Sequence, residues 1–429
     1  MINKPSVHTA AVSMGLRLGQ TRTEIGLTRV MLAAKAGVSV RSVRRMEQGD
    51  ATVSIGQWLK ISKALNQLDS WESILPVPED AFTQYEREKD EQEDAEVYLY
   101  IHGVFPDGQI VEVGCLLVRN LLNPQQQEGF FRYAPSFLNH PLAYPIDPVH
   151  FPLDSKTFQS TEKTTGIHHL FDDSLPDAWG RHILARKGNM ERQRFTPAHL
   201  LTVLRGSGLG RFIYTKEQTV PNLQETSIDF DEITRAVDEA GNLEEGLDVT
   251  TADLQHLLAC GSSAGGARPK VLTRKNDKFW IAKLASRKDP HPNLMPSLEH
   301  AGMTLAALAG LQVPEMERVN LDNRDMFLIR RFDVTEDGGR NALVSFRTLL
   351  DQDDHYAASY SDMAAVLRSF SFRPNKDTEQ LFRQMVVNVI LVNSDDHLQN
   401  FAMLHTKDGW CLSPTFDIVP NIYQISQVV

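Results

Sequence analysis

Residues 392–400 read Val392-Asn393-Ser394-Asp395-Asp396-His397-Leu398-Gln399-Asn400, and residues 413–417 read Ser413-Pro414-Thr415-Phe416-Asp417. Asp395 and Asn400 are five positions apart, and Asp417 follows 17 positions after Asn400. An amide oxygen and a carboxylate are ligands that Mg²⁺ accepts in proteins, while another carboxylate can orient and deprotonate a hydroxyl group. Together the three residues offer the side chains that phosphoryl transfer requires.

The spacing of Asp395 and Asn400 is also the D-x-x-x-x-N spacing of a kinase catalytic loop. The apolar residues 385–392 end immediately before it, so a buried and rigid element should hold the two side chains in place. The alternative interpretation is an ordinary turn or helix cap rich in Asp and Asn.

A glycine-rich stretch lies upstream at residues 261–270. Glycines let backbone N–H groups approach phosphate oxygens, and serine and lysine add further donors. Two antiparallel strands are predicted next, at residues 271–273 and 278–284, with Lys283 between apolar neighbours. A lysine at that place in a kinase holds the α- and β-phosphates. Taken alone, the stretch also fits a hairpin turn and Lys283 a solvent-facing strand position. The stretch includes Gly261, Ser262, Ser263, Gly265, Gly266 and Lys270.

Charge is distributed unevenly along the 429 residues. The net charge is −11 overall, yet residues 1–70 contain ten Lys/Arg against four Asp/Glu and so carry +6, which leaves −17 for the rest. A basic head on an acidic body is typical of a tethered DNA-binding module. No apolar run approaches a transmembrane length, no signal sequence is evident, and three widely spaced cysteines match no metal or disulfide pattern. These observations favour a cytoplasmic protein of two to three domains.

The basic head is predicted to be a helix-turn-helix. Thr28 and Ser39 are expected to cap successive helices, and Gly37 to make the turn. Ser54 is expected to cap a fourth helix. The third helix would present Val40, Arg41 and Arg44 to base edges in the major groove, while Arg45, Lys35 and Arg22 would meet phosphates. A small helical bundle for protein contacts is the alternative. The candidate buried positions of the fourth helix are Ile55, Leu59, Ile61 and Leu65.

This head resembles the Xre/Cro family of repressors, to which the HipB antitoxin belongs. The resemblance rests on residues spread over the whole head, and it departs at Arg29, where the family usually has a Gln that contacts the DNA backbone. The matching residues are Leu18, Gly26-Leu27-Thr28, Leu32-Ala33, Ala36-Gly37-Val38-Ser39, Glu47, Gly49, Ser54, Leu59 and Ala64-Leu65.

The body resembles the HipA family of serine/threonine kinases, the toxin partner of HipB. Residues 171–181 match the family signature F-x-D-x-L-P-D-x-W-G-R, residues 262–270 match its nucleotide loop, and Arg331-Phe332-Asp333 matches the hinge that borders adenine. The resemblance implies an ATP- and Mg²⁺-dependent kinase that acts on a protein substrate and binds operator DNA, as a homodimer, through its head.

The resemblance also implies individual roles. Asp395 would be the catalytic base, Asn400 and Asp417 would bind Mg²⁺, and Lys283 would hold the ATP phosphates. Arg330 to Phe332 would form the adenine hinge, including Arg330 and Phe332 as cofactor contacts. Lys270, Gly265 and Gly266 would shape the phosphate loop, with Ser263, or its neighbour Ser262, as the autophosphorylated serine. A phosphoserine there would repel ATP phosphates.

The predicted fold is therefore multidomain: an all-α helix-turn-helix head and an α+β, protein-kinase-like body of HipA type. The predicted divisions are a head at 1–75, an acidic linker at 76–96, a HipA N-terminal subdomain at 97–225 and a kinase-like domain at 226–429. The family normally adds several helices after the counterpart of Asp417, whereas 12 residues follow it here. A shortened lobe should expose apolar surface, which keeps open the alternative of a DNA-binding regulator with an inactive kinase-like domain.

Overall fold

The chain forms two compact units, Met1–Thr83 and Gln84–Val429. The computed structural model describes most of both units. Among the described residues, no helix combines the length and apolar character needed to span a bilayer. The described residues are 7–68, 96–121, 127–160, 166–176, 178–187, 196–219, 227–245, 247, 269–286, 291 and 293–422.

Four helices make up the described part of the first unit. Ser54 occupies the N-cap position of the fourth, as predicted, but its side chain makes no capping hydrogen bond, whereas the other two predicted caps do. The Thr28 hydroxyl accepts a hydrogen bond from the Met31 amide at the start of the second helix, and Ser39 does the same for Ser42 at the start of the third. Gly37 ends the second helix in the left-handed region, at φ +64°, which favours glycine. The helices are α1 (Val7–Glu24), α2 (Arg29–Ala36), α3 (Val40–Glu47) and α4 (Ile55–Ala64).

The core of the head is small and continuous. It includes buried residues from α1 to α4, with Ile61 fully buried and Trp58 and Leu65 partly buried on α4. The prediction that Ile55 and Leu59 are buried was wrong, because these side chains are 67% and 37% exposed. Helix α4 turns the stripe of Trp58, Ile61 and Leu65 inward, so Leu59 falls beside that stripe and Ile55 is left exposed in the first turn.

The second unit begins with a five-stranded antiparallel sheet in the order β4-β3-β2-β1-β5. Alternating apolar residues of β1 and β2 pack into a large core. A turn at residues 106–108 connects these two strands, and Gly108 adopts φ +84° there. The strands are β1 (Val97–Val104), β2 (Ile110–Arg119), β3 (Glu128–Tyr133), β4 (Phe158–Gln159) and β5 (Phe212–Thr215).

Short helices pack beside this sheet. The Thr196 hydroxyl caps the last of these helices by accepting a hydrogen bond from the His199 amide. The helices are α5 (Pro135–Leu138), α6 (His169–Asp172), α7 (Ala178–Lys187) and α8 (Pro197–Leu204).

A second five-stranded sheet, in the order β6-β7-β8-β10-β9, carries helices on both faces. One face packs against α9 (Ile233–Glu244), and the other packs against α10 (Leu294–Leu308) together with part of the helical lobe. Strand β6 runs parallel to β7, and the other neighbours are antiparallel. The strands are β6 (Ile228–Asp229), β7 (Lys270–Lys275), β8 (Lys278–Leu284), β9 (Met316–Leu321) and β10 (Arg324–Arg330).

The remaining lobe combines three helices with a three-stranded antiparallel sheet in the order β11-β12-β13. Its buried residues join those of the first sheet in one hydrophobic cluster, so the N-terminal subdomain and this lobe share a core. The elements are β11 (Ala342–Ser345), α11 (Phe346–Leu349), α12 (Tyr360–Phe370), α13 (Pro374–Ile390), β12 (Ala402–Thr406) and β13 (Gly409–Leu412).

Helices α10 and α13 also carry exposed apolar side chains, and the prediction of a buried element at residues 385–392 was wrong for Val386, Val389 and Ile390, which lie on the outer face of α13. Leu308 is 80% exposed and Val389 is 72% exposed, far more than is usual for side chains of this kind. The other exposed members are Leu305, Phe382, Val386 and Ile390.

Candidate functional site

Lys283 is the penultimate residue of β8 and lies on the face of the sheet that packs against α10. Its Nζ contacts the carboxylates of both Glu299, on α10, and Asp417, which follows β13. Lys283 and Glu299 side chains are only 13% and 10% exposed, whereas Asp417 is 30% exposed. The fold therefore brings one cation and two carboxylates together from three different elements, and solvent reaches the Asp417 carboxylate.

Glu299 is the functional residue that the sequence reasoning missed. Its contact with Lys283 resembles the pair formed in protein kinases by a helix glutamate and the phosphate-binding lysine. A buried carboxylate requires a partner of opposite charge, and Lys283 supplies it. The only signal in the sequence is that Glu299 is the single acidic residue of the largely apolar residues 298–311, and this does not distinguish it from a glutamate on a helix surface.

Hydrogen bonds of the residues before Asp417 fix its position in the site. The Thr415 amide donates to the Gln312 carbonyl at 2.7 Å, and the Thr415 hydroxyl donates to Gln384 Oε1 at 3.0 Å. Asp417 itself lies in the left-handed region at φ +57°, which is uncommon for a residue with a side chain and recurs at functional sites. This backbone turn directs the Asp417 carboxylate to Lys283.

The predicted catalytic loop follows α13 directly. Val392 adopts φ +50°, an outlier for a β-branched residue, and the Asn393 amide then bonds the Asn388 carbonyl at 2.9 Å. This tight helix end turns the chain, so that the Asp395 side chain is 71% exposed. A carboxylate that is to receive a proton from a substrate hydroxyl must be accessible in this way.

Asp396, next to the proposed base, has a different environment. Its carboxylate accepts hydrogen bonds from the Tyr360 hydroxyl at 2.6 Å and from Asn388 Nδ2 at 2.9 Å. Burial raises the pKa of Asp396, against the hydrogen bonds from Tyr360 and Asn388, which lower it. Asp396 therefore anchors the loop to α12 and α13, and Asp395 remains the carboxylate available for chemistry.

Asn400 is buried beneath the loop. Its Nδ2 donates to the Asp395 carbonyl at 2.6 Å, so the amide group is oriented with its donor side toward the loop. The side-chain oxygen is the atom left for a metal ion, and amide and carboxylate oxygens suit Mg²⁺. The donor chemistry of Asn400 and Asp417 thus fits the predicted metal.

The predicted hinge connects the two lobes. Phe332 packs its ring against Phe416, with centroids 5.9 Å apart, beside the Lys283–Asp417 contact. Arg331 turns inward and forms a two-pronged ion pair with Asp333, at 3.0 and 2.7 Å. Arg330 ends β10 and donates to Glu315 at 3.4 Å on the surface.

The predicted phosphate loop is described only at its end. Lys270 is buried on β7 and lies directly opposite Lys283 in the antiparallel ladder, so both side chains share one face of the sheet. The predictions for Ser262, Ser263, Gly265 and Gly266 fall outside the described residues.

A separate cluster of Asp147, His150 and His168 has the side-chain types of a metal site, with ligand atoms within 4.8 Å of one another. The Nδ1 atom of His168 accepts the Leu170 amide at 3.1 Å, so in neutral His168 the proton sits on Nε2, which faces Asp147. Burial lowers the pKa of His168 to about 4. An Nε2–H group cannot ligate a metal, and the cluster is best described as a buried hydrogen-bonding group.

The predicted recognition helix of the head presents Val40, Arg41 and Arg44 to solvent. Within the described head, neither arginine has a hydrogen-bond or ion-pair partner. Arg45 is half-buried, and its Nε donates to Asp50 at 2.7 Å. Arg22, predicted to contact phosphate, has its guanidinium bonded to Glu47 at 2.6 Å and to the Leu27 carbonyl at 2.7 Å inside the head.

Glu47 connects three helices of the head, since Arg29 on α2 also donates to it at 2.6 Å. Burial alone would raise the pKa of Glu47, but the hydrogen bonds and charges of Arg22 and Arg29 hold that pKa below its usual range. A lowered carboxyl pKa contributes stability that is present above the unfolded pKa and is lost as pH falls through the folded pKa.

We therefore expect Glu47→Gln to destabilise the head by about 2 kcal/mol at pH 7, the usual scale for charged hydrogen bonds. The difference from the parent should shrink as pH falls below about 4, where the parent also loses the charge. Calorimetric unfolding of the full chain across pH measures both effects. Glu24→Gln, at an exposed position of α1, is the matched control, and an equal loss in both variants would contradict the assignment.

Comparisons with known proteins identify the domains and the fold of this chain. Family models match the HipA-like C-terminal domain at residues 262–428, the HipA N-terminal domain at residues 111–215 and a helix-turn-helix at residues 18–69. A solved complex of HipA, HipB and operator DNA from Shewanella oneidensis MR-1 includes a chain similar in fold. The TM-score is 0.54 at 17% identity, over 75% of this chain and 76% of that one.

Curated relatives match a smaller share of this chain. A candidate kinase of Sinorhizobium fredii, Y4dM, is 25% identical over 211 residues, which are 42% of this chain and 51% of that protein. A candidate kinase of Haemophilus influenzae is 26% identical over 181 residues, 37% of this chain and 52% of that protein. The chain thus spans about half the length of these curated relatives.

Proposed function

Because the chain belongs to the HipA family and carries a helix-turn-helix domain at its N-terminus, we propose that it is an ATP-dependent serine/threonine protein kinase whose head binds operator DNA. The observation that carries the proposal is the contact of Lys283 with both Glu299 and Asp417, in a chain whose predicted catalytic loop exposes the Asp395 carboxylate. A chance arrangement of these residues would not reproduce the order and the geometry of a kinase site together.

Each side chain has a chemical task in this proposal. Glu299 holds Lys283 in place, and the Lys283 ammonium binds phosphate oxygens of the nucleotide. Asn400 and Asp417 supply oxygen ligands for Mg²⁺, which when bound neutralises charge on the phosphates. Asp395 accepts the proton of a serine or threonine hydroxyl as that oxygen forms its bond to the γ-phosphorus. Phe332 borders the adenine, with Arg330 at the start of the hinge.

Regulation is proposed through the phosphate loop. Phosphorylation of Ser263, or of Ser262, would place almost two negative charges where the ATP phosphates bind, close to the end of the loop at Lys270. The kinase would then silence itself by autophosphorylation.

Incubation of the full chain with Mg²⁺ and ATP labelled at the γ-phosphate tests the kinase assignment. The proposal predicts label on the protein, mapped to Ser262 or Ser263. Saturable nucleotide binding without any transfer to itself or to an added protein would contradict it. Complete absence of nucleotide binding would favour the alternative, a DNA-binding regulator with an inactive kinase-like domain.

For the head, we expect Arg41→Ala combined with Arg44→Ala to abolish preference for the operator, since each good base contact contributes about 1–3 kcal/mol of discrimination. Competition gel shifts with upstream DNA and scrambled DNA, at two salt concentrations, measure this preference. Lys60→Ala combined with Lys63→Ala removes the same charge from exposed positions of α4 and should weaken both DNAs alike.

The recognition-helix assignment would be wrong if the double arginine variant kept the parent's preference. We propose that the operator is two-fold symmetric and that the protein binds it as a homodimer, because modules of this class read paired half-sites.

A further inference from the structure

Two adjacent carboxylates of the N-terminal subdomain form hydrogen bonds with residues of the kinase lobe. Asp172 Oδ2 accepts a hydrogen bond from Arg347 Nη1 at 2.9 Å. Asp173 Oδ2 accepts from the Ser345 amide at 3.0 Å and from the Thr348 hydroxyl at 2.6 Å. All three partners belong to α11 or to its N-cap. The signature sequence at residues 171–181 therefore forms hydrogen bonds with this one short helix.

The contact between Asp172 and Arg347 is deeply buried, since the two residues are 4% and 6% exposed. A buried guanidinium without its carboxylate is strongly unfavourable, so the position of Arg347 depends on Asp172. The other Asp172 oxygen bonds Arg181 at 2.7 Å within the N-terminal subdomain. Asp172 thus has one partner on each side of the junction.

Helix α11 in turn supports the catalytic loop. The Phe346 amide at its start donates to the Phe401 carbonyl at 2.9 Å, immediately after Asn400. The residues that follow α11 lead to His355, whose carbonyl accepts the Leu398 amide at 3.0 Å. The backbone on both sides of Asn400 is therefore attached to α11 or to the segment that continues it.

Movement of this backbone would displace the side chains of both Asn400 and Asp395, to which functions are proposed. Asn400 bears a proposed metal ligand, and its Nδ2 donates to the Asp395 carbonyl. A shift of α11 would consequently move the ligand of Asn400 and loosen the loop that carries Asp395.

We infer that Asp172 is a positioning residue for the catalytic loop: through Arg347 and α11, the N-terminal subdomain sets the place of Asn400 and so the affinity of the site for Mg²⁺. The magnesium part rests on the proposed function. The positioning of the loop itself does not.

The first test follows amide hydrogen exchange of the full chain in peptides that cover residues 393–404. In Asp172→Asn, which keeps the shape but loses the charge, we expect the Leu398 amide to exchange about tenfold faster or more, the scale of a lost charge-assisted hydrogen bond. Arg181→Gln removes only the partner within the N-terminal subdomain and should leave this amide unchanged.

The second test measures autophosphorylation against Mg²⁺ concentration. Asp172→Asn should need about tenfold more Mg²⁺ for half its maximal rate, with much of the rate restored at saturation. A merely structural role would reduce the active fraction without moving the Mg²⁺ midpoint. Arg347→Lys keeps the charge but loses the planar guanidinium with its several N–H donors, so it should shift the Mg²⁺ midpoint in the same direction. This variant replaces Asp172→Asn in the test if Asp172→Asn does not fold.

The inference is overturned if Leu398 exchange and the Mg²⁺ midpoint stay at parent values in Asp172→Asn, or change equally in Arg181→Gln. Global unfolding of both Asp172→Asn and Arg347→Lys would also count against it, because the contact would then support the whole fold. If the parent transfers no phosphate, the proposed function fails, and Leu398 exchange still decides the positioning.

Discussion

Asp395→Asn is expected to lower the rate of phosphoryl transfer by about 10² to 10⁴, the range that a positioned general base contributes. The amide has the same shape but cannot take the proton of the substrate hydroxyl. The Asp395 carboxylate is largely exposed, and its one contact among the described residues is with His397 at 3.5 Å, so neither the fold nor nucleotide binding should depend on its charge. Initial rates with labelled ATP measure the effect.

Asp408→Asn is the matched control for that variant, since Asp408 is an exposed carboxylate in the turn between β12 and β13. Its rate should equal that of the parent. An Asp395→Asn protein that transfers phosphate at the parent rate would show that another group acts as the base.

Asp333→Ala is expected to cause the largest loss of stability, about 3–5 kcal/mol, the usual consequence of removing one partner of a buried ion pair. Asp333 receives both prongs of Arg331 and also the Gly210 amide at 2.7 Å, so the variant leaves a buried guanidinium and a buried N–H group without their acceptor. Chemical denaturation of the full chain measures the loss.

The same carboxylate predicts a pH dependence. Burial alone would raise the pKa of Asp333, but the charge and hydrogen bonds of Arg331 hold it below its usual range. The stability it contributes is present above about pH 4 and is lost as pH falls through the lower folded pKa. Glu336→Ala, at a side chain that is 92% exposed, should change nothing, and an equal loss in both variants would contradict this account.

Local sequence patterns predicted the parts of the site that lie close together in the chain. The spacing of Asp395 and Asn400 was readable because one loop carries both residues, and the caps at Thr28 and Ser39 were readable because an N-cap acts within three residues. The strand that bears Lys283 was predicted from its apolar neighbours.

Contacts between distant segments could not be predicted in the same way. Glu299 has no local mark that separates it from a surface glutamate, and only the packing of α10 against β8 gives it Lys283. Arg22 was assigned to phosphate because it is basic, yet Glu47, 25 residues later, holds it inside the head. The hydrogen bond between Asp172 and Arg347 joins residues 175 positions apart. No periodicity in the sequence predicts a contact over that separation.

The central claim is that Lys283, Asn400 and Asp417 form a binding site for ATP and Mg²⁺, and titration calorimetry of the full chain with ATP tests it most directly. The account predicts one saturable site whose affinity falls when Mg²⁺ is removed, and no such dependence on Mg²⁺ in Asp417→Asn. Absence of ATP binding to the parent, or binding that is equally tight with and without Mg²⁺, would contradict it.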